Sequence, residues 1–144
     1  GIFFGMSEEN MWKVLEQPWV MIGCDASLRA PDGILSKDHP HPRAYGSFTK
    51  FLRAALDGQT VALPEAIRKM TSLPAEQFRL KNRGELKKGN FADVVIFDPN
   101  AIRENTTYAD PHRLSDGMDT VIVNGTLTME GGSLTGGRQG IFLA

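Results

Sequence analysis

Apolar residues change their period once along this chain, near residue 82, and that change limits the folds open to it. Before it the apolar positions recur at helical spacing. Phe48, Phe51, Leu52, Ala55 and Leu56 follow the i, i+3, i+4, i+7, i+8 pattern of one helix face, and Gly58 stops it. After it come runs dense in β-branched and aromatic residues, "FADVVIFD" at 91 to 98 and "TVIVNGTLTMEGG" at 120 to 132. Asn124-Gly125 marks a two-residue hairpin turn, because both positions of a type I′ turn need positive φ. The chain therefore divides into an α/β front, 1–82, and a β-rich back, 83–144. The 144 residues suffice for one domain with a core.

The front starts with a helix expected over 7–17. Ser7 can cap it, Glu8 and Glu9 suit the positive end of its dipole, Met11, Val14 and Leu15 form its stripe, and Pro18 ends it. Trp19 to Ile22 follow without alternation, which suits a strand covered on both faces, as in a parallel sheet. That run ends at Cys24-Asp25. Residues 26–46 form a loop, since Pro31, Gly33, Pro40 and Pro42 prevent a long regular element, and a loop of that length points to function. A helix over 47–57 follows. Pro64 opens another with Ala66, Ile67 and Met70 inward, and Pro74 opens a short one running through Phe78 and Leu80. Residues 99–119 are an irregular connection.

Charge excludes some partners. The formal net charge is −1 and the bases are scattered, so neither nucleic acid nor an anionic membrane surface is indicated. Lys87-Lys88 reads as a solvated turn. No run reaches the ~18 apolar residues of a membrane span, and "GIFFGM" at the start is too short for a signal-peptide core. The single cysteine, Cys24, rules out an internal disulfide and suits a cytoplasmic location.

Asp25 and Arg43 are the candidates for chemistry. A carboxylate just past the C-terminal end of a buried parallel strand stands where α/β barrels place catalytic groups. An aspartate capping a turn fits the same position. Arg43 closes the proline-restricted stretch "HPHPR", so its backbone has little freedom, and a pre-ordered guanidinium grips a carboxylate with two parallel hydrogen bonds. A surface arginine is the alternative. His39 and His41 make an H-x-H, but two histidines do not complete a zinc site, so loop packing or a contact at the substrate's edge is expected of them. His112 is expected at the surface or behind the site. Cys24, next to Asp25 on a strand, is expected to face the other way as a small core residue. No Ser-His-Asp order and no glycine-rich nucleotide loop stands out.

"RGELKKGNFADVVIFDP" (83–99) resembles the C-terminal β segment of the amidohydrolase superfamily, with a G-x-L-x-x-G turn and an Ala-Asp pair opening an apolar strand. "WVMIGCDASLRAPDG", "HPHPRAYGSF", "AIRKMTSLPAEQFRL", "YADPHRLSDGMDTVIVNG" and "LTGGRQGIFL" narrow the resemblance to the N-acyl-D-amino-acid deacylases, over nearly the whole chain and in order. That resemblance implies a (β/α)8 metal-dependent hydrolase barrel with a small β-sandwich, of which this chain is a C-terminal fragment. It implies a zinc-dependent hydrolysis of the amide bond in N-acyl-D-amino acids. Asp25 would take the proton of the attacking water and pass it to the leaving amine, as proton-carrying catalyst and candidate metal ligand. Arg43 would bind the substrate's α-carboxylate, with His41 near it. The family's other metal ligands have no counterpart here, so zinc is expected in the intact enzyme and none in this chain, which is expected to be inactive alone. Unpaired edges on the 19–24 strand predict self-association or strand exchange. A non-catalytic assembly module, or a dihydroorotase- or hydantoinase-like amidohydrolase, is the competing reading.

Overall fold

The computed structural model describes residues 5–27 and 29–143. The first four residues of "GIFFGM" and Leu28 of the "WVMIGCDASLRAPDG" stretch lie outside them.

Helix α1 spans Glu8–Leu15. Ser7 Oγ accepts the Asn10 amide hydrogen at 3.4 Å, as the cap reading expects. Its inward face is turned from the expected stripe. Trp12 and Leu15 pack on the core, while Val14 is 54% exposed. Helix α2, Arg43–Leu56, starts four residues before the expected boundary of 47. Pro42 already has helical dihedrals, φ −49° and ψ −27°, so the proline that bars a helix interior launches one from its first turn. Arg43 is therefore a helical residue and not the end of a rigid loop. Phe51, Leu52 and Ala55 are buried as expected, but Phe48 is 44% exposed. The helix closes at Gly58, whose φ of +69° only glycine adopts freely, as the sequence predicts. Helices α3, Leu63–Met70, and α4, Ser72–Gln77, follow at once. The last of these, expected to open at Pro74 and run through Phe78 and Leu80, starts at Ser72 and stops at Gln77, and Phe78 stands 68% exposed.

Phe51, Ala55 and Ala66 form the buried centre, covered by Trp12, Leu15, Ile22, Val61 and Met70. Full burial of a side chain such as Phe51 stabilises by ~1.5 to 3 kcal/mol.

The run 19–24 is not a strand. Pro18 and Trp19 sit in a turn closed by Val20 N–H donating to Gln17 O at 3.0 Å. Residues 20–24 form no regular element and have no ladder partners among the described residues, and Trp19 is 71% exposed. An apolar run specifies half of a strand; the other half is a neighbour to pair with, and none of the sheet's strands lies beside it. Side chains of α3 hold it instead. Arg68 Nη2 donates to Pro18 O at 2.5 Å. The ammonium of Lys69, fully buried, donates to Gln17 O and to Val20 O, the latter at 2.8 Å. Ile22 N–H returns a bond to Lys69 O at 3.2 Å.

The back half is a four-stranded antiparallel sheet in chain order: β1 Val94–Phe97, β2 Met118–Val123, β3 Thr126–Glu130 and β4 Ser133–Leu134. The Asn124-Gly125 turn joins β2 and β3 with φ of +48° and +80°, as predicted. Asp93 ties this turn to the segment before β1: its Oδ1 accepts the Asn124 N–H at 2.8 Å and its Oδ2 pairs with Arg83. Arg83 also stacks over Phe91 at 4.2 Å.

The irregular connection between β1 and β2 lies against α2. A Cβ on Gly46 would stand 2.7 Å from the Glu104 side chain and 2.8 Å from Thr106 Oγ1, so only glycine permits this approach. Ser115 Oγ donates to Tyr45 O at 3.1 Å and Arg53 Nη1 to Pro99 O at 2.8 Å.

Candidate functional site

Asp25 and Arg43 meet. Arg43 Nη1 donates to Asp25 Oδ2 at 3.1 Å, joining the end of the 19–24 run to the first turn of α2. The two line an open cleft of about 170 Å³ together with Ser27, Arg29, Pro40 and His41. Asp25 is 99% exposed at its side chain and Arg43 41%. A pair so wet contributes ~0 to 1 kcal/mol, so a ligand carboxylate can replace Asp25 on the guanidinium at little cost. Across the cleft, Arg29 pairs with Asp38 at 2.5 Å and closes the 26–42 loop on itself.

His41 stands at the helix start. Its Nδ1 accepts the Arg43 N–H at 3.0 Å, capping a donor that has no partner inside the helix. Its Nε2 lies 3.2 Å from the Tyr108 hydroxyl, and the two rings meet edge to face at 5.2 Å. Burial, with the Arg43 charge beside it, holds its pKa below the usual histidine value, so the imidazole is neutral near pH 7. His39 Nε2 donates to Tyr108 O at 2.7 Å. The loop-packing expectation for both histidines matches these contacts. His112 packs by Tyr45, ring centroids 6.1 Å apart, behind α2.

Cys24 departs from expectation. It is exposed, and its Sγ donates to Arg43 O at 3.2 Å and accepts from Ser47 Oγ at 3.7 Å. Without strand pairing nothing forces successive side chains to opposite faces, so Cys24 and Asp25 both reach the first turn of α2.

Tyr108 and Lys69 carry no signal in the sequence. Tyr108 arrives from a connection 65 residues beyond Arg43, and Lys69 is inward only because carbonyls of another segment receive its ammonium. Desolvation depresses the Lys69 pKa, partly offset by Glu65, 3.9 Å away.

Asp25 is the one candidate metal ligand, and no group of three or more His, Cys, Asp or Glu that could hold an ion occurs among the described residues. These residues do not make a metal site, and no step through a metal follows from them.

Residues 23–129 match the model of the "Amidohydrolase family". The chain is 38% identical over 125 residues to the N-acyl-D-glutamate deacylase of Alcaligenes xylosoxydans xylosoxydans, covering 86% of this chain and 24% of that protein. It superposes on the crystal structure of D-aminoacylase with a TM-score of 0.79 at 34% identity, over 92% of this chain and 27% of the other. It superposes with a TM-score of 0.73, at 33% identity, on the N-acyl-D-glutamate deacylase of Bordetella Bronchiseptica, solved with zinc and a phosphonate that mimics the tetrahedral intermediate. That match covers 90% of this chain and 28% of the other. The chain thus spans about a quarter of the length of the proteins it matches.

Proposed function

This chain belongs to the amidohydrolase family, and on that premise we propose that it supplies the Asp25–Arg43 end of an enzyme that hydrolyses the amide bond of N-acyl-D-amino acids. One observation carries the reading: residues 18 positions apart, an acid and a guanidinium, face one cleft 3.1 Å from each other.

In this reading the D-amino acid's carboxylate takes Arg43 from Asp25 and forms two charge-assisted hydrogen bonds. Asp25, released, accepts a proton from the water that attacks the acyl carbon. It returns that proton to the nitrogen as the C–N bond breaks, leaving a carboxylic acid and a free amine. His41 holds the first turn of α2 in register and stands at the substrate's edge. Zinc belongs to the intact enzyme, with its ligand set supplied by residues other than these. The chain alone is inactive.

The rest of the architecture is proposed with it. Residues 1–82 are the last strand-helix elements of a (β/α)8 barrel, in which the 19–24 run gains its strand partners, with 26–46 as the active-site loop. Residues 83–144 contribute to a composite β-sandwich. The compartment is cytoplasmic and the partner a small molecule. A non-catalytic binding or assembly role is the second reading.

A chimera separates the two. This chain replaces the matching segment of the Alcaligenes xylosoxydans xylosoxydans N-acyl-D-glutamate deacylase, and acetate release from N-acetyl-D-glutamate is measured with zinc present. Turnover by the chimera and none by the chain alone is expected. A folded, zinc-loaded chimera with no turnover contradicts the deacylase reading, and turnover by the isolated chain contradicts its dependence on other residues.

A further inference from the structure

Among the described residues no hydrogen bond joins Tyr108 to Asp25 or Arg43, yet two of its groups hold the histidines that precede Arg43. Its carbonyl receives His39 Nε2–H at 2.7 Å, and its hydroxyl meets His41 Nε2 at 3.2 Å. The direction of the second bond follows from the first atom in the series. Arg43 N–H is a backbone donor and cannot accept, so His41 Nδ1, 3.0 Å away, must present its lone pair. The neutral ring then carries its hydrogen on Nε2, and Nε2–H donates to the Tyr108 hydroxyl oxygen. The edge-to-face contact, 79° between ring planes, fixes the imidazole plane as well as its tautomer.

The consequence lies at Arg43. His41 is exposed, so packing alone does not fix its ring. Its Nδ1 is the one partner of the Arg43 N–H among the described residues. The side chain of Arg43 leaves from that same first helical residue. Without the Tyr108 hydroxyl the ring samples other rotamers, the cap loosens, and the guanidinium loses its fixed origin.

We propose that Tyr108 is a positioning residue for Arg43, acting through the imidazole of His41. The inference rests on the proposed function only where it takes Arg43 to bind a carboxylate.

Amide hydrogen exchange at Arg43, followed by NMR in this chain, tests it without any substrate. Tyr108→Phe keeps the ring contact and removes the hydroxyl. It should speed exchange of the Arg43 N–H about fivefold, the equivalent of one neutral hydrogen bond, and leave the α2 amides from Phe51 onward unchanged. His41→Ala should remove the protection, and adding Tyr108→Phe to it should change nothing more, because the two act in series. Long-range ¹⁵N spectra should show His41 as the Nε2–H tautomer. An Nδ1–H tautomer in the wild type, unchanged Arg43 exchange in Tyr108→Phe, or additive effects in the double variant would overturn the proposal. A slowdown or speeding shared equally along α2 would also overturn it, since that marks general loosening. In the chimera described above, Tyr108→Phe should raise KM for N-acetyl-D-glutamate about fivefold with kcat little changed. If the unsubstituted chimera has no turnover, the deacylase reading fails by itself, and the exchange result still decides the role of Tyr108.

Discussion

At the scale of single residues, burial decides more than charge. Lys69 is fully buried, and its ammonium has two carbonyl acceptors and a distant carboxylate. Lys69→Met leaves Val20 O without that donor and Gln17 O with the Val20 N–H, and should destabilise by about 1 to 3 kcal/mol in urea unfolding, since part-buried acceptors lose a charged donor. An unchanged midpoint would show that the ammonium does not hold the 17–22 run. The depressed Lys69 pKa gives a second readout. Between the folded value and the ordinary 10.5, the unfolded chain binds more protons, so stability should rise with pH there. His41 acts nearer neutrality. Its folded pKa lies below the ordinary 6.5, so its contribution is present above 6.5 and is lost as pH falls through the folded value. Urea midpoints should therefore drop on acidification below 6.5, and His41→Asn should remove part of that drop; an identical pH slope in the variant would contradict the assignment. None of this is legible in the sequence. A lysine on an amphipathic helix reads as solvated until the carbonyls that meet it are known.

Whole elements were legible where their cause is local. Asn124-Gly125 fixes a hairpin by itself, since two residues set the turn and the strands follow. Ser7 caps α1 and Gly58 ends α2 for the same reason. The 19–24 run failed because strand pairing is a property of two segments. The early start of α2 was missed because Pro42 reads as a breaker, although at the entrance of a helix its fixed φ is an advantage. That start matters for the site: it places Arg43 on a helix beside Asp25, where the loop reading put it at the end of a proline-restricted stretch. The helix should depend on its core face. Phe51→Ala, at a position 3% exposed within the central cluster, should cost about 3 to 5 kcal/mol. Phe48→Ala, at 44% exposure, should cost well under half of that. Equal losses in thermal or urea unfolding would mean that α2 packs on another face.

For the molecule as a whole, much apolar surface stays uncovered. Trp19, Val95, Ile96 and Phe142 are 71%, 51%, 53% and 92% exposed. Large apolar patches on soluble proteins mark surfaces that bind something. Analytical ultracentrifugation should find this chain self-associating at micromolar concentration, and a single monomer boundary across that range would contradict the expectation. A change of element type falls near residue 82, with helices before and strands after. It does not separate the site's supports, because the connection after β1 reaches back through Tyr108 and Ser115 to the start of α2. Asp25 and Arg43 were both readable as candidates, but their pairing was not, since 17 residues lie between them. In the proposed reaction Asp25 carries a proton between water and the leaving nitrogen. Turnover of N-acetyl-D-glutamate by the zinc-loaded chimera, with and without Asp25→Asn, measures this directly. Loss of kcat by about 10²- to 10⁴-fold at a nearly unchanged KM is the predicted result, and equal kcat in the two proteins would contradict it.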